Sequence, residues 1–360
     1  MRLKLLASML VMFAASAASS HELELDTAGA HAVIEALAKP GLTLDEAKGV
    51  AALPANQQLI RKVGSFGTDI PAGTFESELV AVAHGQTPAN ERFGFSRVKS
   101  DLPKVAETLA ALEANRVADS RWILERVQQF SPPGPSLKLK GWIIAGGNST
   151  GFAFGGPEFY LKINDFVGAP DYLRLVMAHE LYHAVQGAAM TAGKRTLRFD
   201  DVDLDRVKSK PQRDYHAVNM LLTQLMTEGI ASYVGDPTLS TSEARLARQE
   251  RDRIRNMERL PRRMPTLLDM ALLSITDAKP LSSEDVYSVG FYADQPLYYL
   301  GYSMAKAIAA KRGSARLGEL ALGDGCAFGR EYLALTAADA SLPKLGERSA
   351  AIIGSACPAS

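Results

Sequence analysis

The chain has 360 residues, and its 40 Lys and Arg balance 40 Asp and Glu, so the formal net charge is zero. That balance argues against a dedicated nucleic-acid or polyanion partner, which would need a basic surplus. The length is enough for a large core in one domain or two.

The sequence opens with Arg2 and Lys4, an apolar run from Leu5 to Ala15 and small residues from Ser16 to Ser20. This is the pattern of a secretory signal over residues 1–20, with cleavage after Ala18 or Ser20. The apolar run is too short to cross a bilayer, and no later segment is long and apolar enough. A periplasmic or secreted mature protein with no integral membrane span is expected.

Residues 21–130 read as a helical N-terminal region. Residues 26–38 form an amphipathic segment stopped by Lys39, Pro40 and Gly41, and residues 44–50 a short second one. Two stronger helices are expected at 102–116 and 119–130, where Val105, Leu109, Leu112, Ile123, Leu124 and Val127 recur at helical spacing. His31 and His84 read as structural or exposed, and His21 lacks a second histidine at ligand spacing. Ser131, Pro132, Pro133, Gly134 and Pro135 then form a linker. The region before it reads as a cap in preference to a removable pro-segment, because nothing near the linker marks a processing site.

Beyond the linker the period changes. Strands are expected at 138–145, 151–154 and 158–163, the last with Phe159, Leu161 and Ile163 alternating, as a small antiparallel sheet. Pro170 and Asp171 then signal a helix start. Leu173, Val176, Met177, Leu181, Ala184 and Val185 carry the helical period, and Gly187 can close it.

Within that helix stand His179, Glu180, Leu181, Tyr182 and His183. Histidines four apart share a helix face, so both imidazoles can reach one divalent ion. Glu180, about 100° around the helix, falls beside the ion and suits a general base acting on a metal-held water. The bland alternative is an amphipathic helix with two solvated histidines.

Residues 195–210 are acidic, with Asp200, Asp201, Asp203 and Asp205, but lack the glycine and closing glutamate of a calcium loop, so they read as solvated. Residues 219–234 read as a second helix, apolar at Met220, Leu221, Leu225, Met226, Ile230 and Val234, with the single acid Glu228. Burying a lone carboxylate is costly unless it is paired or bound to a cation, and a metal between the two helices would remove that cost. His216 lies three turns before Glu228, too far along one helix to share its metal.

The paired histidines followed by Glu228, Gly229, Ile230 and Ala231 resemble the gluzincins, of which thermolysin is the best-known member, and in particular uncharacterised bacterial zinc peptidases. The resemblance covers roughly residues 138–311 and rests on two short motifs. It implies one zinc ion held by His179, His183 and Glu228, with Glu180 as base and a peptide or protein as substrate. It also implies that the sheet edge before the metal helix takes the substrate backbone by strand addition, where a plain supporting hairpin is the alternative. Thermolysin-like enzymes carry an aspartate four residues after the glutamate ligand, bonded to the first histidine. Here Ser232 stands at that place, so the support of His179 must differ.

Residues 241–259 mix Glu and Arg and read as a solvated helix face. Residues 285–294 lead to a third helix from Pro296, whose first turns hold Tyr298, Tyr299 and Tyr302. Zinc peptidases need a donor for the oxyanion, and with no suitable histidine after His216 a tyrosine is required. Tyr298 and Tyr302 share a face, and Gly301 beside them permits close backbone approach. Aromatic core packing is the alternative for both. Cys326 and Cys357, in an exported protein, read as a disulfide pinning a small cap, stabilising by about 3–4 kcal/mol in the chain-entropy picture.

The expected architecture is α+β, mostly α and zincin-like. It divides into the signal at 1–20, a helical cap at 21–130, a catalytic region at 131–315 and a C-terminal cap at 316–360. The expected activity is zinc-dependent peptide hydrolysis. The rivals are an inert cell-envelope protein that keeps the metal helix, and a zinc hydrolase of esters or non-peptide amides.

Overall fold

The computed structural model describes residues 21–65, 70–132, 134, 136–154, 156–192, 204–292 and 295–358. The expected signal at 1–20, and Asp200, Asp201 and Asp203, lie outside them. Strand β1 (Glu22–Asp26) is followed by six helices: α1 (Ala28–Ala38), α2 (Leu44–Ala51), α3 (Pro54–Gly64), α4 (Thr74–Ala83), α5 (Phe95–Ser100) and α6 (Leu102–Gln128). A reciprocal capping box between Thr43 and Glu46 starts α2, and a proline in the first turn starts α3 and α6. The two helices expected at 102–116 and 119–130 are one 27-residue helix. Val117, 75% exposed, interrupts the apolar period on the solvent side without breaking the backbone.

The sheet adds β2 (Lys138–Ile144), β3 (Gly151–Ala153) and β4 (Glu158–Lys162), in the order β1-β2-β4-β3. It is mixed where an antiparallel sheet was expected. β1 runs parallel to β2, with Leu25 opposite Gly141, and β2 parallel to β4, with Gly141 opposite Phe159. Among the described residues, only β3 and β4 are antiparallel, with Phe152 opposite Tyr160. The reason is topological. The backbone leaves β2, forms the edge strand β3 first and returns through β4 into the space between. Helices α1 to α6 make the long crossover that a parallel β1–β2 pair demands.

The remaining helices are α7 (Pro170–Ala192), α8 (Lys210–Val234), α9 (Arg245–Arg259), α10 (Arg263–Thr276), α11 (Ser283–Phe291), α12 (Pro296–Arg312), α13 (Ser314–Ala321), α14 (Gly325–Ala338) and α15 (Glu347–Ala356). Helix α7 passes through Gly187 instead of ending there. Helix α8 begins nine residues before its expected start and buries Leu221, Leu222, Leu225, Met226 and Ile230. Against it pack α12, and α14 through Cys326, whose backbone N–H donates to Asn219 Oδ1 at 3.0 Å. The expected disulfide joins Cys326 to Cys357 at the end of α15, with Cα atoms 5.4 Å apart.

Residues on the two sides of the proline-rich stretch are locked together. Arg126 donates to Val234 O and Tyr233 O at 2.9 Å each, closing the end of α8, and Tyr182 Oη donates to Phe130 O at 2.8 Å. Helix α9 departs from the solvated reading: it starts at Arg245 and buries Ala247, Arg251, Ile254 and Met257. Among the described residues no helix is long and apolar enough to cross a membrane.

Candidate metal centre

Helix α7 sets His179 and His183 one turn apart, with their Nε2 atoms separated by 3.1 Å. Helix α8 brings Glu228 Oε2 to 3.2 Å from His183 Nε2 and 3.9 Å from His179 Nε2. The three side groups are 19, 17 and 13% exposed. A tetrahedral ion with ligands at about 2.0–2.2 Å spaces its donors about 3.3–3.6 Å apart, close to this triangle. Glu228 Oε2 is buried without a hydrogen bond of acceptable geometry, the kind of carboxylate oxygen that a cation would satisfy. Two imidazoles and one carboxylate are also a donor set that suits zinc. The remaining histidines go elsewhere. His21 faces Ser131, His31 pairs with Glu113, His84 meets Leu42 O, and the His216 ring lies against Tyr215.

Each histidine has a distinct support. His183 Nδ1 lies 3.0 Å from Gln186 Oε1, and Gln186 Nε2 donates to Thr227 O at 3.2 Å. This fixes the amide, places the His183 proton on Nδ1 and turns Nε2 toward Glu228. The His179 ring lies beside the backbone of Ala231 on α8, with Ser232 in place of an aspartate at the next position. Gln186 is only 1% exposed and escaped the sequence reading, although its position three residues after His183 is a legible signal.

The electrostatics of the group are strongly perturbed. Burial, with His183 adding to it, drives His179 down to about 3. Burial also pulls on His183, but the Glu228 carboxylate outweighs it and lifts that imidazole to about 9. Glu228 is held below its ordinary value: burial pushes it up, and the neighbouring His183 more than compensates. Burial raises Glu180 to about 7, against the pull of His183 and of the Lys62 ammonium on α3.

Glu180 lies against the edge strand. A Cβ added to Gly151 of β3 would fall 2.5 Å from Glu180 Oε1, so the strand and the carboxylate meet only because that residue is glycine. Gly151, His179, Glu180 and Ser232 line a cavity of about 400 Å³, together with Tyr298, Tyr299 and Tyr302 of α12 and one face of α9. The two expected tyrosines part company here. The Tyr298 phenol lies near Glu228, whose charge adds to burial in holding it well above its ordinary value. Tyr302 Oη donates instead to Asp236 Oδ1 at 3.1 Å and receives Lys306 Nζ at 3.4 Å. Sequence reasoning also missed Lys62 and Tyr287. Tyr287 stacks on Phe291 with ring centroids 4.8 Å apart, and the Glu228 charge adds to burial in raising its phenol.

A family model described as "Putative zinc dependent peptidase (DUF5700)" matches residues 47–340. The matched stretch takes in the metal helix, Glu228, α9 and α12, and also helices α3 to α6 ahead of the proline-rich stretch. No curated protein and no solved structure gives a significant match. With four-fifths of its length inside that match, the chain belongs to the family DUF5700, which carries that description.

Proposed function

We propose that the protein is an exported zinc metallopeptidase of zincin-like architecture, in which His179, His183 and Glu228 hold one ion and Glu180 is the general base. The observation that carries this reading is the triangle of two imidazole nitrogens and a buried carboxylate oxygen, with a second carboxylate, Glu180, lining the same cavity as His179. Zinc, when bound, supplies Lewis acidity toward the scissile carbonyl and acidifies a water. Glu180 takes a proton from the attacking water as its oxygen bonds to the carbonyl carbon, and delivers a proton to the amide nitrogen as the C–N bond breaks. Its place on the cavity wall beside His179 suits both directions of that transfer.

Tyr298 is the oxyanion donor of this scheme, a buried phenol on the wall of the cavity that His179 and Glu180 line. Tyr302 supports the wall from its Asp236 contact. The edge strand β3, lying on Glu180, receives the substrate backbone. Residues 21–130 act as a permanent cap on the 131–315 catalytic region: β1 is hydrogen-bonded to β2, and Arg126 closes α8. The segment 316–360 is a second cap, pinned by the disulfide. The leader at 1–20 and the disulfide both suit an oxidising compartment.

Two variants test the reading with metal analysis and a broad peptide library. Glu180→Gln should keep one zinc per protein molecule and lose about 10²–10⁴-fold in turnover. Glu228→Ala should lose the metal itself. Wild-type turnover in the first variant, or stoichiometric zinc in the second, refutes the assignment.

A further inference from the structure

The edge strand β3 is three residues long, so its place against Glu180 depends on what holds the chain leading into it. The holders come from the end of β4 and the turn after it. Gly146 N donates to Asn164 Oδ1 at 2.9 Å, and Lys162 Nζ donates to Gly147 O at 3.0 Å. Thr150 is held twice, since its carbonyl accepts from Lys162 N and its hydroxyl donates to Asp165 Oδ2, each at 2.9 Å. Lys162 Nζ also pairs with Asp165 Oδ2 at 3.0 Å, and the two side groups are only 7 and 9% exposed. Arg97 Nη2, on α5, stands 3.6 Å from the other oxygen of Asp165. A buried ion pair is a weak source of stability compared with apolar residues of like size, and fixing geometry is a use it can serve.

The geometry fixed here is that of an open backbone edge. Lys162 N bonds to Thr150 O, and by the alternation of an antiparallel pair Phe152 faces β4 in the same way. Gly151, between them, therefore turns its N–H and C=O away from β4, and β3 is the last strand of the sheet. Thr150 and Gly151 both line the cavity with His179 and Glu180. We propose, resting on the peptidase reading, that Lys162 and Asp165 are positioning residues: acting through Thr150, they hold Gly151 where its backbone pairs with an extended peptide chain beside Glu180.

Thr150→Val removes one hydroxyl and keeps the shape, whereas Thr150→Ser keeps the hydroxyl. With zinc-loaded protein and an unbiased peptide library as probe, Thr150→Val should raise KM by about 5- to 20-fold and leave kcat within about threefold of wild type. Thr150→Ser should match wild type. The double variant Lys162→Met/Asp165→Leu, which leaves no unpaired buried charge, should fold, keep its zinc and show the same rise in KM. Retention of the same library on immobilised Glu180→Gln gives a readout that needs no turnover, and adding Thr150→Val there should weaken retention by a similar factor. If retention falls in this way while wild type cleaves nothing, the positioning role stands and the peptidase reading fails. An unchanged KM in Thr150→Val and in the double variant, a loss of zinc or of folding in both, or no peptide retained or cleaved at all overturns the positioning role.

Discussion

Gly229 of α8 and Gly301 of α12 meet backbone to backbone. A Cβ on Gly229 would fall 2.3 Å from the Gly301 carbonyl carbon, and one on Gly301 would fall 2.2 Å from Leu225 O. The crossing sits between Glu228, which precedes Gly229, and Tyr298, one turn before Gly301. Close approach of these two helices is what carries the phenol to the carboxylate. Gly301→Ala meets backbone atoms, which cannot rotate aside, so the helices must separate. The expected cost is about 2–4 kcal/mol in urea unfolding, with weaker zinc binding because Glu228 moves with α8. An unchanged unfolding midpoint would contradict the contact.

A different outcome is expected at Gly151, where the colliding atom is the tip of a flexible glutamate. In Gly151→Ala the Cβ displaces the Glu180 carboxylate, which lies 2.5 Å away, and leaves the fold in place. Stability should change by less than about 1 kcal/mol and zinc content not at all. Turnover should fall by about 10- to 100-fold, since a misplaced base loses most of its advantage. Loss of zinc together with activity would mean that the strand supports the ligands and not the base.

The group of His179, His183 and Glu228, which could hold a metal ion, was legible because its signals are local. The His179–His183 spacing is a one-turn repeat, and Glu228 is a single acid on an apolar helix face. The same local reading found α2, α7 and the phenols of α12. It failed wherever partners lie far apart in sequence. Glu22 to Asp26 alternates as a strand should, yet its partner is β2, more than a hundred residues later, and nothing in five residues reveals a parallel pairing. The sheet order failed for the same reason, because alternation reports a strand and not its neighbour. Helix α9 misled through its charge. Glu250 and Arg253 satisfy each other, so a face that looks fit only for water lines a cavity.

Asp171 makes the start of α7 sensitive to acid. Its Oδ2 accepts from Thr241 N at 2.6 Å, from Ser240 Oγ and Thr241 Oγ1 at 3.1 Å each, and from Ser242 N at 3.1 Å. Burial pushes the carboxyl upward, and these donors outweigh it and hold it below its ordinary value. A carboxyl depressed in the folded state stabilises fully above the unfolded value of about 3.9, and that stabilisation fades as pH falls through the folded value. Asp171→Ala should therefore cost about 1–3 kcal/mol at pH 7. The gap between variant and wild type should narrow below about pH 4. Equal gaps at pH 7 and pH 3.5 would assign the effect to packing and not to the charge.

Zinc removal should destabilise the protein through the junction of α7 and α8, because the three donors are divided between those helices. A ligand that binds only the folded state adds about 4 kcal/mol at a thousandfold excess over its dissociation constant. Dialysis against a chelator should lower the thermal midpoint, and returning zinc should restore it. Glu228→Ala should make the midpoint nearly indifferent to zinc, whereas Glu180→Gln, which leaves all three donors in place, should respond as wild type does. Magnesium should not substitute, since it favours oxygen ligands and octahedral geometry over two imidazoles. A zinc-dependent midpoint that survived in Glu228→Ala would relocate the third ligand. The unsatisfied Oε2 of Glu228 would then need another explanation within the same α7–α8 junction.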